Sequence, residues 1–303
     1  MRKALADTLS TLSEKDDRII FLTGDLGFGV FDEFKNKFPE KYINVGVAES
    51  QMVSMSAGLA MEGYKPIVYS IASFLLRRAY EQIKISVCYH NLPVIFIGAG
   101  GGFIYSSSGP THHSQEDYLL MQSIPNMQIF SPGTPNELKE IFPQIIESKA
   151  PSYIRIGKFG EKNINSEEKT QIYKIKTIVS GSKTAFVSNG DTLHVCLNTI
   201  SKLNLMNIYP SLYHFPTIKP IKEDEYKKFI NYKNIIVVED SFELGGISSN
   251  LLNYFFKIKN NLNIVRKGPK DEFIYGNPTK EELRKVYGYD ELSLEKFFLN
   301  NYA

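Results

Sequence analysis

The first half of the chain alternates short apolar runs with longer stretches that have helical spacing. We predict helices over residues 2–14, 74–89 and 135–147. The apolar runs, which we predict to be buried strands, are residues 18–23, 42–47, 66–70, 93–98, 126–131 and 152–156. Strands that alternate with helices in this way are typical of a parallel sheet covered by helices.

A second α/β unit follows a change in composition near residue 160. Residues 161–170 are polar and charged and show no apolar period, which suits a linker. Beyond them, strand-like runs occupy residues 183–188, 193–197, 205–209 and 234–238, and a helix carries Leu251, Leu252 and Phe255. We therefore predict two three-layer α/β/α domains with mostly parallel sheets. The predicted boundaries are residues 1–162, a linker over 163–178, and residues 179–303.

Composition and charge narrow the class of protein. Of the 303 residues, 43% are hydrophobic and 22% are charged, as in ordinary globular proteins. The formal net charge of +2 and the lack of a dense basic run predict no binding of nucleic acid. No apolar run reaches the roughly 18 residues that a membrane span needs. Cys88 and Cys196 lie in apolar stretches, so we expect buried free thiols and a soluble, cytoplasmic protein without membrane association.

A single carboxylate, Glu49, stands out in the first half. It follows the apolar run Asn44-Val45-Gly46-Val47-Ala48 and precedes a helix rich in small residues. Acidic residues are rarely placed between a strand end and a tightly packed helix unless a cation pairs with them or they have a function in binding or catalysis. The alternative is a carboxylate at a helix N-terminus that backbone amides satisfy.

Two further segments carry candidate chemistry. Residues 69–83 read YSIASFLLRRAYEQI, in which Phe74 is either a binding surface or ordinary core. Residues 109–117 read GPTHHSQED and are followed by Ile-Pro-Asn-Met at 124–127. The adjacent His112 and His113 lie in a loop of glycine and serine, which is either a functional loop or an exposed polar turn.

Together the three segments resemble the transketolase family of thiamine diphosphate enzymes, in the family's order and spacing. The resemblance implies that Glu49 meets the pyrimidine nitrogen of the cofactor and that Phe74 stacks on the pyrimidine ring. Ile71 stands where the family has a first Phe, which keeps an apolar contact but loses ring stacking. Arg78 and Asp25 are further cofactor-binding candidates. His112, with His113 beside it, is expected to be the catalytic donor that faces the substrate.

The sequence also departs from the family pattern around the substrate. Residues 106–108 are three serines where transketolases carry an aspartate that contacts a sugar hydroxyl. A loop of hydroxyl groups can donate hydrogen bonds to a phosphate or a modified sugar, but it cannot replace that carboxylate. Lys158 stands where an arginine is usual. Ser106, Ser107, Ser108, His112 and Lys158 are therefore the substrate-binding candidates, and we expect an atypical sugar.

The family's diphosphate site is not found in this sequence. Its Gly-Asp-Gly motif has no match, and the nearest approach is Asn189-Gly190-Asp191 in the second half. We therefore predict no metal ligands in this chain, with Mg²⁺ or Ca²⁺ and the diphosphate held by an N-terminal transketolase subunit in an α2β2 assembly.

The predicted function is a subunit of a heteromeric transketolase that transfers a two-carbon ketol unit between sugars. One alternative is the beta subunit of a 2-oxo acid dehydrogenase or decarboxylase, which His113-Ser114-Gln115 resembles. Another alternative is a non-catalytic paralogue.

Overall fold

The computed structural model describes residues 1–158, 160–166, 168–181 and 183–302. Within them, a sheet of seven strands has the order β10-β5-β6-β4-β3-β1-β2. These strands are β1 (Ile19–Thr23), β2 (Tyr42–Asn44), β3 (Lys65–Ile71), β4 (Ile95–Ala99), β5 (Gln128–Phe130), β6 (Ser152–Ile156) and β10 (Thr217–Lys219). Neighbouring strands are parallel except for β10, which runs antiparallel to β5.

Helices cover both faces of this sheet. They are α1 (Arg2–Ser13), α2 (Asp32–Lys37), α3 (Glu49–Met61), α4 (Ala72–Arg78), α5 (Tyr80–Gln82), α6 (Asp117–Gln122) and α7 (Pro135–Glu147), with a π-helical stretch over Ile83–Cys88. Because alternate residues of a strand point to opposite faces, Phe21 packs with α1 and α7 whereas Leu22 packs with α3 and α4.

A second sheet of five strands lies in the later part of the described chain, in the order β12-β11-β8-β9-β7. Its strands are β7 (Lys176–Val179), β8 (Thr184–Ser188), β9 (Ser211–His214), β11 (Asn234–Val238) and β12 (Asn263–Lys267). All pair in parallel except β7, which is antiparallel to β9. The helices are α8 (Thr192–Asn204), α9 (Glu223–Tyr226), α10 (Ile247–Lys257), α11 (Lys280–Val286) and α12 (Glu291–Tyr302). The predicted fold class of two α/β domains with mostly parallel sheets is confirmed.

The first sheet draws one strand from the second half of the chain. Strand β10 pairs with β5, so a segment beyond residue 210 completes the first sheet. The core on the α3 side likewise continues through Phe215 and Ile218 into the second half. The two halves therefore share a sheet and a core, which a division by chain order does not predict. Strand β7 also begins inside the stretch predicted as a linker.

Two strand predictions in the second half are wrong. Residues 193–197 form the start of helix α8, whose buried residues include Leu193, Cys196 and Ile200. These side chains are three and four residues apart, which is the spacing of one helical face. Residues 205–209 form a turn and a loop, and the strand lies just beyond them as β9.

Both cysteines match the prediction of buried free thiols. Cys88 and Cys196 are buried and make no disulfide. Burial raises the pKa of the Cys88 thiol to about 12, so this group stays protonated at neutral pH. In the described ranges, none of the helices combines the length and apolar character needed to cross a membrane.

Candidate functional site

The sequence-predicted site residues gather at the carboxyl ends of the parallel strands of the first sheet. Asp25 follows β1, Glu49 follows β2, Ile71 ends β3 and Lys158 follows β6. Because the strands are parallel, these four ends meet at one edge, where open α/β sheets usually bind ligands.

Glu49 is the first residue of helix α3 and is almost fully buried. Its side chain is 3% exposed, whereas the side chain of its partner Arg78 is 47% exposed. The Arg78 Nη1 atom donates to both carboxylate oxygens, at 3.1 Å from Oε1 and 3.0 Å from Oε2. The helix dipole also favours a negative charge at this position. The buried Glu49 carboxylate is thus paired with the partly exposed Arg78 guanidinium.

Arg78 connects Glu49 to an aromatic surface. The guanidinium carbon of Arg78 lies 4.3 Å from the centroid of the Phe74 ring. The ring of His112 meets Phe74 edge-on, with 4.9 Å between centroids and 63° between planes. Glu49, Arg78, Phe74 and His112, which come from three separate sequence segments, therefore form one continuous row of contacts.

His112 is half-buried and its ring is oriented by a neighbour. Nδ1 lies 2.9 Å from the hydroxyl oxygen of Thr111. Burial and the adjacent His113 lower the pKa of His112 below its ordinary value of 6.5. The imidazole is therefore neutral at pH 7, so one ring nitrogen can donate a proton while the other can accept one.

His113 has a different environment. It is 3% exposed, and its Nε2 lies 2.9 Å from the carbonyl oxygen of Ser106. Its ring meets Phe103 edge-on at 5.7 Å between centroids, and Arg77 donates to its carbonyl oxygen at 2.7 Å. His113 is thus buried and fixed by Ser106, Phe103 and Arg77, whereas the partly exposed His112 contacts Phe74.

The serine loop and Lys158 lie close to the two histidines. Ser106–Ser108 form a short 3₁₀ turn in which Ser106 is buried and the other two serines are exposed. The Tyr105 ring contacts both His112 and Lys158. Its centroid is 6.1 Å from that of His112 and 5.0 Å from the Lys158 Nζ atom. Lys158 is thus linked to His112 through an aromatic ring.

Asp25 and Ile71 lie at the carboxyl ends of β1 and β3, which are neighbours in the sheet. Asp25 is exposed and has a positive φ of 58°. Its backbone N–H donates to the Asn44 side-chain oxygen at 2.9 Å, and that same oxygen accepts from the Gly46 N–H at 3.0 Å. Asn44 therefore ties the Asp25 turn to the loop that leads into Glu49. Ile71 is half-buried and immediately precedes helix α4.

Two family models match this chain. Residues 1–159 match the transketolase pyrimidine binding domain, and residues 173–293 match the transketolase C-terminal domain. The chain belongs to the transketolase family.

Its similarity to curated transketolase relatives extends over most of its length. It is 33% identical to the 1-deoxy-D-xylulose-5-phosphate synthase of Clostridium tetani over 298 residues, which are 97% of this chain and 48% of the synthase. The chain thus spans about half the length of such relatives. It is 32% identical to a putative transketolase C-terminal section of Methanocaldococcus jannaschii over 301 residues, with 98% and 94% of the two chains covered.

The chain is also similar to a transketolase subunit and to a solved transketolase structure. One of the subunits of an apulose-4-phosphate transketolase from Actinobacillus succinogenes is 31% identical over 263 residues, which are 86% of this chain and 85% of that relative. A solved split-gene transketolase, described as an inactive beta4 tetramer, superposes with a TM-score of 0.87 over 99% of this chain and 96% of that one. At 24% identity, that likeness shows the fold alone.

Behind the histidine loop, this transketolase-family chain has a buried ionic network that the sequence did not reveal. Asp117 is fully buried and makes an ion pair with Arg155, which is 7% exposed. The hydroxyl of Tyr153 also donates to Asp117 at 2.7 Å. Arg155 donates to the carbonyl oxygens of Ser114 and Asp240, at 3.3 and 3.2 Å, and thereby links the loop to the second half. A single sequence carries no signal that pairs residues 38 positions apart.

The residues at the Glu49 end fit the ring end of thiamine diphosphate. A planar nitrogen donor, the Arg78 guanidinium, already lies on the Phe74 ring and donates to Glu49. This end of the site therefore offers a carboxylate acceptor and an aromatic face, the two groups that an aminopyrimidine ring can bind. Across the part of the chain that the structure describes, no cluster of three or more His, Cys, Asp or Glu side chains could hold a metal ion.

Proposed function

We propose that this chain is the C-terminal subunit of a two-chain, thiamine diphosphate-dependent transketolase that moves a two-carbon ketol unit between sugars. The observation that carries this proposal is the row of contacts from Glu49 through Arg78 and Phe74 to His112. Relatives named as one subunit of a transketolase and as a C-terminal section align along most of their own length, which supports the two-chain organisation.

Three residues have separate tasks toward the cofactor ring in this proposal. Glu49 hydrogen-bonds the pyrimidine nitrogen of the cofactor, and Phe74 supports the ring by stacking, with Ile71 adding an apolar contact. Thiamine diphosphate, when bound, supplies the electron sink that carbon–carbon bond cleavage next to a ketone needs. The low exposure of Glu49 keeps water from competing for its carboxylate.

His112 acts on the substrate side. Because its pKa is lowered, the neutral ring can accept a proton from a sugar hydroxyl and return it at neutral pH. His113 supports the loop through Ser106, and the exposed Ser107 and Ser108 offer hydrogen bonds to substrate oxygens. Lys158 adds a positive charge for a phosphorylated or otherwise acidic sugar.

The partner in this proposal is an N-terminal transketolase subunit in an α2β2 assembly. That subunit binds the diphosphate and provides the oxygen ligands that Mg²⁺ or Ca²⁺ requires. We propose neither role for this chain. Asp25 is exposed and is tied through Asn44 to the loop before Glu49, and it is proposed to approach the cofactor there.

The test is calorimetric titration of thiamine diphosphate with Mg²⁺ into the chain alone and into its mixture with the diphosphate-binding subunit of the same genome. We expect binding only in the mixture, followed by ketol transfer from a panel of ketose phosphates. Tight binding by the chain alone contradicts the two-chain proposal. Binding without ketol transfer, but with decarboxylation of 2-oxo acids, contradicts the assigned reaction.

A further inference from the structure

Arg78 holds both groups that the proposed function assigns to the cofactor ring. Its Nη1 atom donates to the two oxygens of Glu49, at 3.1 and 3.0 Å. Its guanidinium carbon lies 4.3 Å from the Phe74 ring centroid. A guanidinium and an aminopyrimidine are both flat, delocalised and rich in nitrogen, so both can stack on an aromatic ring and hydrogen-bond a carboxylate. The two groups therefore compete for the same contacts.

The burial of Glu49 makes this competition exclusive. The Glu49 side chain is 3% exposed, and the partly exposed Arg78 side chain is its ion-pair partner. The guanidinium lies against both carboxylate oxygens and over the Phe74 ring, so a ring that stacks on this face of Phe74 cannot reach Glu49 until the guanidinium has moved. A buried carboxylate without a partner is costly. Arg78 removes that cost while no cofactor is bound.

The local structure allows the side chain to move while the backbone stays in place. Arg78 is the last residue of helix α4, and its carbonyl oxygen accepts a hydrogen bond from the Ser50 hydroxyl at 2.6 Å. Ser50 belongs to helix α3, next to Glu49, so the two helix ends are joined there. Because the Arg78 side chain is 47% exposed, rotation about its own bonds brings the guanidinium into solvent.

We infer that the Arg78 guanidinium takes the place of the cofactor's aminopyrimidine ring in the cofactor-free chain, and that it must be displaced when the cofactor binds. The inference rests on the proposed function. Arg78 is then a placeholder that keeps Glu49 paired and the Phe74 ring covered, rather than the direct cofactor contact expected from the sequence, and its displacement lowers the observed affinity for the cofactor. The size of this penalty follows from one partly exposed ion pair and one cation–π contact, and corresponds to about 5-fold in the dissociation constant.

The first measurement is thiamine diphosphate affinity in the complex with the diphosphate-binding subunit. Wild type, Arg78→Ala and the control Arg18→Ala are compared by calorimetry. Arg18 also pairs with a carboxylate, Asp16, but lies before strand β1 at the opposite end of the sheet. We expect Arg78→Ala to bind the cofactor about 5-fold more tightly and Arg18→Ala to match wild type. Equal or weaker binding by Arg78→Ala overturns the inference.

The second measurement uses the wild-type complex and does not depend on the variant folding. An arginine-selective dicarbonyl reagent is applied with and without thiamine diphosphate, and modification is quantified by mass spectrometry with Arg18 as the internal reference. We expect Arg78 to react faster when the cofactor is bound, because the guanidinium has left Glu49. Protection of Arg78 by the cofactor indicates a direct contact and overturns the inference. A wild-type complex that binds no cofactor at all refutes the proposed function and, with it, the inference.

Discussion

A buried carboxylate that joins the two halves of the chain makes stability depend on pH. Glu137 lies in helix α7 and is 1% exposed. Its Oε2 atom accepts from the Gly133 N–H at 2.8 Å and lies 3.1 Å from His214 Nε2, without the alignment of a hydrogen bond. The Lys176 Nζ atom is 3.6 Å from Oε1. His214 and Lys176 belong to the second sheet, so the first half provides the acid and the second half its partners.

The pKa of Glu137 determines the size and the sign of the effect. Burial by itself raises this pKa, but His214, the Gly133 N–H and Lys176 outweigh burial and lower it from 4.5 to about 2. The shift corresponds to about 3 kcal/mol of stability. Because the folded pKa lies below the unfolded pKa, the contribution is fully present above pH 4.5 and is lost as the pH falls toward 2.

The assay is urea unfolding of wild type and Glu137→Gln between pH 7 and pH 3. Glutamine keeps an oxygen for the Gly133 N–H but removes the charge. We expect Glu137→Gln to be about 3 kcal/mol less stable at pH 7, with a gap that narrows steadily below pH 4.5. The control is Glu147→Gln on the same helix, whose carboxylate is 69% exposed in its ion pair with Lys65. It should change stability by under about 1 kcal/mol. A gap for Glu137→Gln that is as large at pH 3 as at pH 7 refutes the reasoning.

Three further predictions concern the site and its support. Glu49→Gln should lower turnover of the reconstituted complex by about 10³-fold at saturating cofactor with an unchanged circular dichroism spectrum, and an active variant would contradict the role of Glu49. His112→Gln should reduce kcat without lowering Tm, whereas His113→Gln should lower stability by about 1 kcal/mol through the Ser106 contact; the reverse pattern in kinetics and thermal melts would exchange the two roles. Asp117→Asn should destabilise the chain by about 3 kcal/mol in urea, because it leaves a buried arginine without its charge partner, and a neutral result would show that the network is not needed.

Local patterns determined much of the fold from the sequence. The predicted helix over 135–147 and the strands over 152–156 and 234–238 have the observed limits. The helix is long enough to show a helical period, whereas the two strands are five-residue runs that are buried almost throughout and are too short for a helix. The run 193–197 is too short to distinguish the period of a helix from that of a strand. The helical spacing is visible only over the full length of α8.

For the candidate site, the sequence likewise predicted the residue types but not all of their contacts. Its residue types were readable in the sequence because Glu49, Phe74 and His112 belong to motifs in a fixed order. Which adjacent histidine contacts Phe74 depends on the backbone turn at residues 109–113, which directs one ring toward Phe74 and the other toward Phe103.

Contacts between distant segments were decided only by the tertiary structure. The pairing of Glu49 with Arg78, the burial of Asp117 against Arg155 and the addition of β10 to the first sheet each join residues at least 29 positions apart. Such contacts depend on how the sheet brings strand ends together, and no local period encodes them. The sequence by itself therefore determined which chemical groups are present, and the packing of the two halves decided which of them touch.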